Sequence, residues 1–266
     1  MSPPVFYLAS VSDVSPGETC LLEGDEGHHA SVVRRIRVGE HLMLTDGVGV
    51  IADVEATSAE RGRVGCRVLE VRTIERPHLH VTVAQAIPKG DRGELAVDLL
   101  TEVGVDQVVP WQAERCVSRW KGEKVVRGRA KWSATAREAA KQSRRAWWPV
   151  VAQVSETAEV IDRARDADVC LVLHEAASQP LAEVIASGAL PTAGRVLIVV
   201  GPEGGLSPAE VTQLEQAGGS TVTLGPTVLR TSTAGVVAAT LVLATLPTWG
   251  RRLGALPEGS TRDDRR

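Results

Sequence analysis

The sequence predicts an α/β protein in two parts, a small N-terminal β-barrel and a larger C-terminal domain built on a mostly parallel sheet. Three observations carry this. Residues 5–73 alternate apolar and polar positions with little helical period, and regular short strands of that kind make a small barrel. From residue 80 strands alternate with amphipathic helices, the pattern of a parallel sheet covered by helices. The apolar run "RVLIVV" (195–200) leads straight into "GPEGGLSPAE" (201–210), a strand followed by a glycine loop and a capped helix. The 266 residues suffice for two modest domains. We place them at 1–73 and 74–250, with 251–266 as a polar, disordered tail.

In the first part, "EHLMLTDGVGVIADVEA" (40–56) alternates around a turn at Asp46-Gly47, and "RGRVGCRVLEVRT" (61–73) alternates again. Pro77 interrupts either periodicity and marks "IERPHL" (74–79) as a linker. Strands follow at 80–87, 105–111, 150–154, 168–175, 195–200 and 220–225. Helices fall at 91–104, 127–146, 156–165, 180–187 and 207–217, with a last apolar helix from Ala234. The first of these puts Leu95, Leu99, Leu100 and Val103 on one face and stops at Gly104, a suitable residue beyond a helix end. Ser207, Pro208 and Glu210 form a capping box with proline at the first helical position. Ser232 or Thr233 is the expected cap of the last helix.

Apolar content of 43% and charged content of 24% are those of a globular protein. The net charge of −3 announces no polyanion partner, but the distribution does. Between Arg115 and Arg145 stand eleven Lys/Arg and two acids, with Trp120, Trp132, Trp147 and Trp148 on or beside this basic run. Cations for phosphates and aromatics for stacking suit RNA, although each tryptophan taken singly reads better as core. Cys20, Cys66, Cys116 and Cys170 are far apart and form no CxxC, so they read as reduced thiols in a cytoplasmic protein, with no metal site. The first residues lack the charge and apolar core of a signal peptide, and 234–246 is too short to cross a bilayer.

"GVGVIA" (47–52) matches a dinucleotide fingerprint in letters only. No helix opens there, and a hairpin turn is the better reading. "VVGPEGGLS" (199–207) has the right context but lacks the Gly-Lys-Ser/Thr of a phosphate-binding P-loop. Either its backbone touches a ligand, or it is a glycine-rich connection and nothing more; loops at the carboxyl ends of such strands favour the ligand. "LGPTVLRTSTAG" (224–235) strengthens that reading, with Arg230 and four hydroxyls between a strand and a helix. An arginine so placed serves an anionic partner or is a surface charge. "LVLHE" (171–175) ends a third strand with His174, a crevice residue or a structural histidine.

These motifs, with "RRIRVGEHLMLTDGVG" (34–49), "PKGDR" (88–92), "TEVGVDQVVPWQAERCV" (101–117) and "REAAKQSRR" (137–145), resemble the ribosomal RNA small subunit methyltransferase E family of the SPOUT class. The resemblance covers nearly the whole chain in order. It implies N3-methylation of one uridine of 16S rRNA in the small ribosomal subunit. It also implies a PUA-like RNA-binding barrel, an α/β domain with a trefoil knot, S-adenosyl-L-methionine in the knot, and a homodimer. Carried onto this sequence, the cofactor set is Leu173, His174, Glu175, Val200, Gly201, Pro202, Glu203, Gly204, Gly205, Leu224, Gly225, Val228, Leu229, Arg230, Thr231, Thr233 and Ala234. The RNA-binding set is Arg34, Arg35, Arg37, Lys89, Arg92, Arg115, Arg144 and Arg145. Two departures stand out: "PPVFYL" where the family often carries an early basic residue, and "RTST" for the commoner "RTET".

The chemistry fits the residues. Uridine N3 is a weak acid whose nucleophilic form is an anion spread onto O2 and O4. An arginine stabilises such charge as it develops, and Arg230 is the catalytic candidate. Glu203 is a possible base, but closing the loop or holding cofactor hydroxyls suits it better. N3 lies on the pairing edge, so the base must be unpaired or flipped out. Other readings stay open: a related SPOUT enzyme acting on another RNA or atom, and an RNA-binding or assembly protein without catalysis.

Overall fold

A computed structural model describes residues 3–247 and Trp249; the tail proposed for 251–266 lies outside them. The N-terminal part is a five-stranded mixed sheet: β1 (Val5–Tyr7), β2 (Thr19–Leu22), β3 (His41–Thr45), β4 (Val50–Glu60) and β5 (Arg63–Thr73), in the order β1-β3-β4-β5-β2. β1 runs parallel to β3 and the other pairs are antiparallel. Register shifts at Asp53/Val54 and Ala56/Ser58 bend the long β4–β5 ribbon around a core of Phe6, Leu22, Leu42, Leu44, Val54 and Val64. One element departs from the all-strand reading. Residues Gly24–His28 form a helical turn, α1, which runs into a π-helical turn at His29–Val33. Its apolar residues are too few for the helical period to show in the sequence.

Cys20 and Cys66, distant in sequence, stand opposite each other across β2 and β5. A hydrogen bond between the thiols favours the thiolate at Cys20, and together with burial it holds Cys66 protonated.

The C-terminal part is a wholly parallel six-stranded sheet ordered β11-β9-β10-β6-β7-β8. Its strands are β6 (Leu79–Ala86), β7 (Gln107–Trp111), β8 (Val150–Val151), β9 (Val169–Leu173), β10 (Gly194–Val200) and β11 (Gly219–Val222). The period of two splits their side chains between two cores. Val81, Val83, Ile198 and Val200 face one side, and Ala84, Ala86, Leu197 and Val199 the other. The first side is covered by α2 (Arg92–Val103), α3 (Glu123–Gln142), α5 (Leu181–Ala186) and α7 (Thr231–Leu243). The second is covered by α4 (Thr157–Asp166) and α6 (Pro208–Gln216). No helix among the described residues is long and apolar enough to cross a membrane.

The connection after β9 wraps the end of β11. His174 N–H donates to Val222 O, Thr223 N–H to Gln179 O, and Leu181 N–H to Thr223 O.

Helix α3 begins and ends four residues earlier than the periodicity suggests, and Trp147 lies beyond it. Trp132 is core, edge-on to Trp120 at 5.1 Å and packed where Gly93 lacks a side chain. Trp147 and Trp148 instead join the two parts. Trp148 N–H donates to Gly47 O (2.8 Å), Gly49 N–H to Ala146 O (3.0 Å), and Trp147 Nε1 to Ile74 O (2.9 Å). A Cβ on Gly47 or Gly49 would meet an indole ring at 2.7 or 2.6 Å, and both glycines hold positive φ. The Arg137 guanidinium stacks over Tyr7 (4.9 Å) and Trp148 (5.6 Å) across the same seam. The hairpin reading of "GVGV" is correct, and its glycines seat the neighbouring domain.

Arg145 is corrected here. Its guanidinium donates to Thr101 O (3.0 Å), Val105 O (2.6 Å) and Gly104 O (3.3 Å), carbonyls in and just past the last turn of α2. Burial pushes its pKa down to about 10, still charged at neutral pH. Those donors are spent inside the fold, so Arg145 leaves the RNA-binding set. Arg145→Ala should lower unfolding free energy by about 2–3 kcal/mol, as charged hydrogen bonds to buried carbonyls require. Urea denaturation followed by circular dichroism checks this.

Candidate active site

Strands β9, β10 and β11 end at the same edge of the sheet, and their following loops enclose a cleft of about 590 Å³. Parallel strands place their carboxyl ends together, so loops far apart in sequence meet there. The cleft gathers Leu173, His174 and Glu175 at the end of β9; Val200, Gly201, Pro202, Glu203, Gly204 and Gly205 at the end of β10; and Leu224, Gly225, Val228, Leu229, Arg230, Thr231 and Ala234 after β11. Thr233 is the one member of the sequence-derived set outside its lining; its hydroxyl donates to Arg230 O. Leu206, Val222, Thr223, Pro226 and Thr227 also line the cleft, beyond the cofactor set carried over from the resemblance.

The glycine loop is held by side chains and backbone from other segments. Glu203 Oε1 accepts from Lys89 N–H (3.1 Å) and from Arg92 Nη1 (3.2 Å). Arg115 Nη1 donates to Gly204 O (3.3 Å) and Leu206 O (3.2 Å). Gly201 O accepts from the Thr231 hydroxyl (2.8 Å), which accepts in turn from Gln85 Nε2 (3.0 Å). Glu210 completes the cap of α6 by accepting from Ser207 N–H, and its other oxygen takes Glu114 N–H and the Thr157 hydroxyl. Three sequence-derived RNA contacts thus stand beside the glycine loop: Lys89, Arg92 and Arg115. Arg92 and Arg115 also line the cleft.

The glycines have separate reasons. Gly205 (φ +69°) and Gly225 (φ +159°) have open space where a side chain would project. A Cβ on Gly204 would instead meet Arg115 Cβ at 3.3 Å and its carbonyl oxygen at 3.4 Å. Close packing on the 112–116 segment, and not approach by a ligand, explains that glycine.

Helix α7 starts three residues before the apolar run suggests. Arg230 is its N-cap, without a side-chain cap bond, and Thr231 is the first helical residue, so neither Ser232 nor Thr233 is the cap. Among the described residues the Arg230 guanidinium has no hydrogen-bond or ion-pair partner, and it stands exposed at the positive end of the helix. That end of the cleft suits developing negative charge. His174 Nδ1 accepts from Ala176 N–H (3.1 Å), which turns the post-β9 loop. No group of three His, Cys, Asp or Glu among the described residues is placed to hold a metal.

A family model described as an RNA methyltransferase domain matches residues 75–243, and an RNA methyltransferase PUA domain matches 22–69. Ribosomal RNA small subunit methyltransferase E of Mycobacterium tuberculosis is 45% identical over 238 residues, 88% of each chain. The Bacillus subtilis protein of that name is 35% identical over 234 residues, 86% of this chain and 91% of its own. Among solved structures, the Neisseria gonorrhoeae enzyme of the same name, bound to S-adenosyl methionine, aligns with a TM-score of 0.80 at 28% identity, over 92% of this chain and 98% of its own. A Legionella pneumophila methyltransferase with bound SAM gives 0.82, at 28% identity and the same coverage. The chain belongs to the ribosomal RNA small subunit methyltransferase E family, with a PUA-like domain ahead of a SPOUT methyltransferase domain.

Proposed function

We propose that this protein is an S-adenosyl-L-methionine-dependent methyltransferase that modifies N3 of one uridine in 16S rRNA, working in the cytoplasm as a homodimer. The single observation that carries the chemistry is the cleft: three strand-end loops, two of them glycine-bearing, converge on the unpaired Arg230. When bound, the cofactor supplies an activated methyl group, so the protein's share is orientation and electrostatics. The cleft fits it. Open space at Gly205 and Gly225 admits a ligand against bare backbone, and Leu173, Val200, Leu224 and Leu229 offer apolar walls.

The residues divide the work. Arg92 and Lys89 hold Glu203, and Arg115 holds the carbonyls of Gly204 and Leu206, so the loop amides keep their places without the ligand. Glu203 is thereby a loop fastener, and not a general base. Arg230 at the start of α7 stabilises negative charge on the uracil oxygens as the N3 proton leaves. Arg34, Arg35, Arg37 and Arg144 remain for RNA.

Two experiments test this reading. Gly204→Val presses on the Arg115 backbone and should displace the loop, so calorimetry should show S-adenosylmethionine affinity reduced at least roughly tenfold, with circular dichroism unchanged. Unchanged affinity removes the glycine loop from the site. Arg230→Ala should bind both substrates almost normally and lose about 10²–10³ in kcat and kcat/KM together, the effect of a missing transition-state donor. Lys at 230 should restore part, and higher pH should restore part by favouring N3 deprotonation. A near-normal single-turnover rate with weak cofactor binding would make Arg230 a binding residue instead.

A further inference from the structure

Two arginines sit in a backbone conformation that arginine ordinarily avoids. Arg35 (φ +55°) and Arg144 (φ +59°) are the non-glycine residues with positive φ among those described. Both follow the same logic. Arg35 ends the π-helical turn, with Ile36 N–H reaching back to Ala30 O (3.0 Å). Arg144 ends α3, with Arg145 N–H reaching back to Ala140 O (2.9 Å). This is the position just past a helix where glycine is the usual residue, because it carries no Cβ penalty there. A non-glycine residue held left-handed costs about 1 kcal/mol or more. The chain accepts that cost twice, each time with a guanidinium, and once in each domain.

The end of α3 borders a second cleft through Arg144, and on the N-terminal side the lining residue is Arg34, the neighbour of Arg35. A second cavity of about 280 Å³ lies between the domains, walled by Pro3, Phe6, His29 and Arg34 on one side and by Lys141 and Arg144 on the other. Glu138 is the one carboxylate in its lining, set against three cations. It is paired with Lys141 (2.8 Å), which also takes Glu26 (3.0 Å) and is buried. Arg34 is exposed and carries no ion pair or side-chain hydrogen bond among the described residues. Arg144 spends one donor on Pro3 O (3.0 Å) and keeps the others. Two arginine forks, one from each domain, thus face a cavity of nucleotide size.

We propose that this interdomain cleft is a phosphodiester-binding site, taking the backbone of the RNA substrate beside the target base. The proposal rests on the RNA-methylating reading above and gives it a place outside the cofactor cleft. A guanidinium fork matches phosphate oxygens in pairs, which explains why arginine stands at 144, where glycine is cheaper.

Arg144→Gly removes the fork and the conformational penalty together, so structural and functional roles predict opposite outcomes. The full chain is titrated with a fluorescein-labelled single-stranded RNA carrying the target uridine, across a range of KCl. Arg144→Gly and Arg34→Gln should each bind roughly tenfold more weakly at low salt, with the salt slope shallower by about one. The melting temperature of Arg144→Gly should hold or rise. Lys124→Gln, at the far end of α3, should alter neither affinity nor slope. Wild-type affinity and slope in both arginine variants would overturn the proposal, as would equal losses in Lys124→Gln, which would make the effect one of general charge. If Arg144→Gly loses stability, Arg34→Gln alone decides the matter. Methylation of small subunits by the wild-type chain is measured alongside: its absence would sink the methyltransferase reading, whereas normal methylation with unaltered arginine variants would sink only the phosphate site.

Discussion

The hydroxyl of Thr231 holds the site together. It donates to Gly201 O at the head of the glycine loop and accepts from Gln85 at the end of β6, while its own backbone opens α7. Three stretches of chain, the outermost 146 residues apart, meet on one oxygen. Gln85 and Thr231 are buried, so water cannot substitute for the missing partners if either is lost. The position of Arg230 follows from this bond. One residue before Thr231, it is aimed by the start of a helix whose first turn is fastened to the loop it must face.

Around that point the cleft is held rigid by arginines at its rim and by a backbone amide. Carbonyls and one carboxylate of the glycine loop are satisfied by Arg92, Arg115 and the Lys89 amide. What a charge-based reading assigns to RNA is partly the scaffolding of the cleft. The division has a physical reason: a site that binds through backbone must fix that backbone in advance, and arginine is the side chain with enough directed donors to do it.

Much of this was legible in the sequence. Glycines at the end of an apolar run, Ser207 and Glu210 three apart, and Arg230 between strand and helix are local signals, and the cleft is a product of local signals repeated at three strand ends. The boundary at Gly104 was equally plain, since the residue beyond a helix end is a local choice. What escaped depends on distant partners. Nothing near Arg145 says that α2 ends beside it, and nothing near Gly204 says that its missing side chain makes room for Arg115. Arg35 and Arg144 are invisible for a related reason: the left-handed backbone is announced by glycine, and here glycine is absent.

The tryptophan seam has a consequence for what the molecule can select. Gly47, Gly49, Trp147 and Trp148 join the two sheets by backbone hydrogen bonds as well as by side chains, so the separation between the N-terminal arginines and the cleft is set by the fold and not by a loose tether. The protein then acts as a calliper with its jaws locked. On the function and phosphate site proposed above, an RNA whose backbone and target base lie at the wrong span would be rejected by geometry, and one folded to the right span would bind without the cost of ordering the protein. Selectivity of this kind would reside in the shape of the substrate.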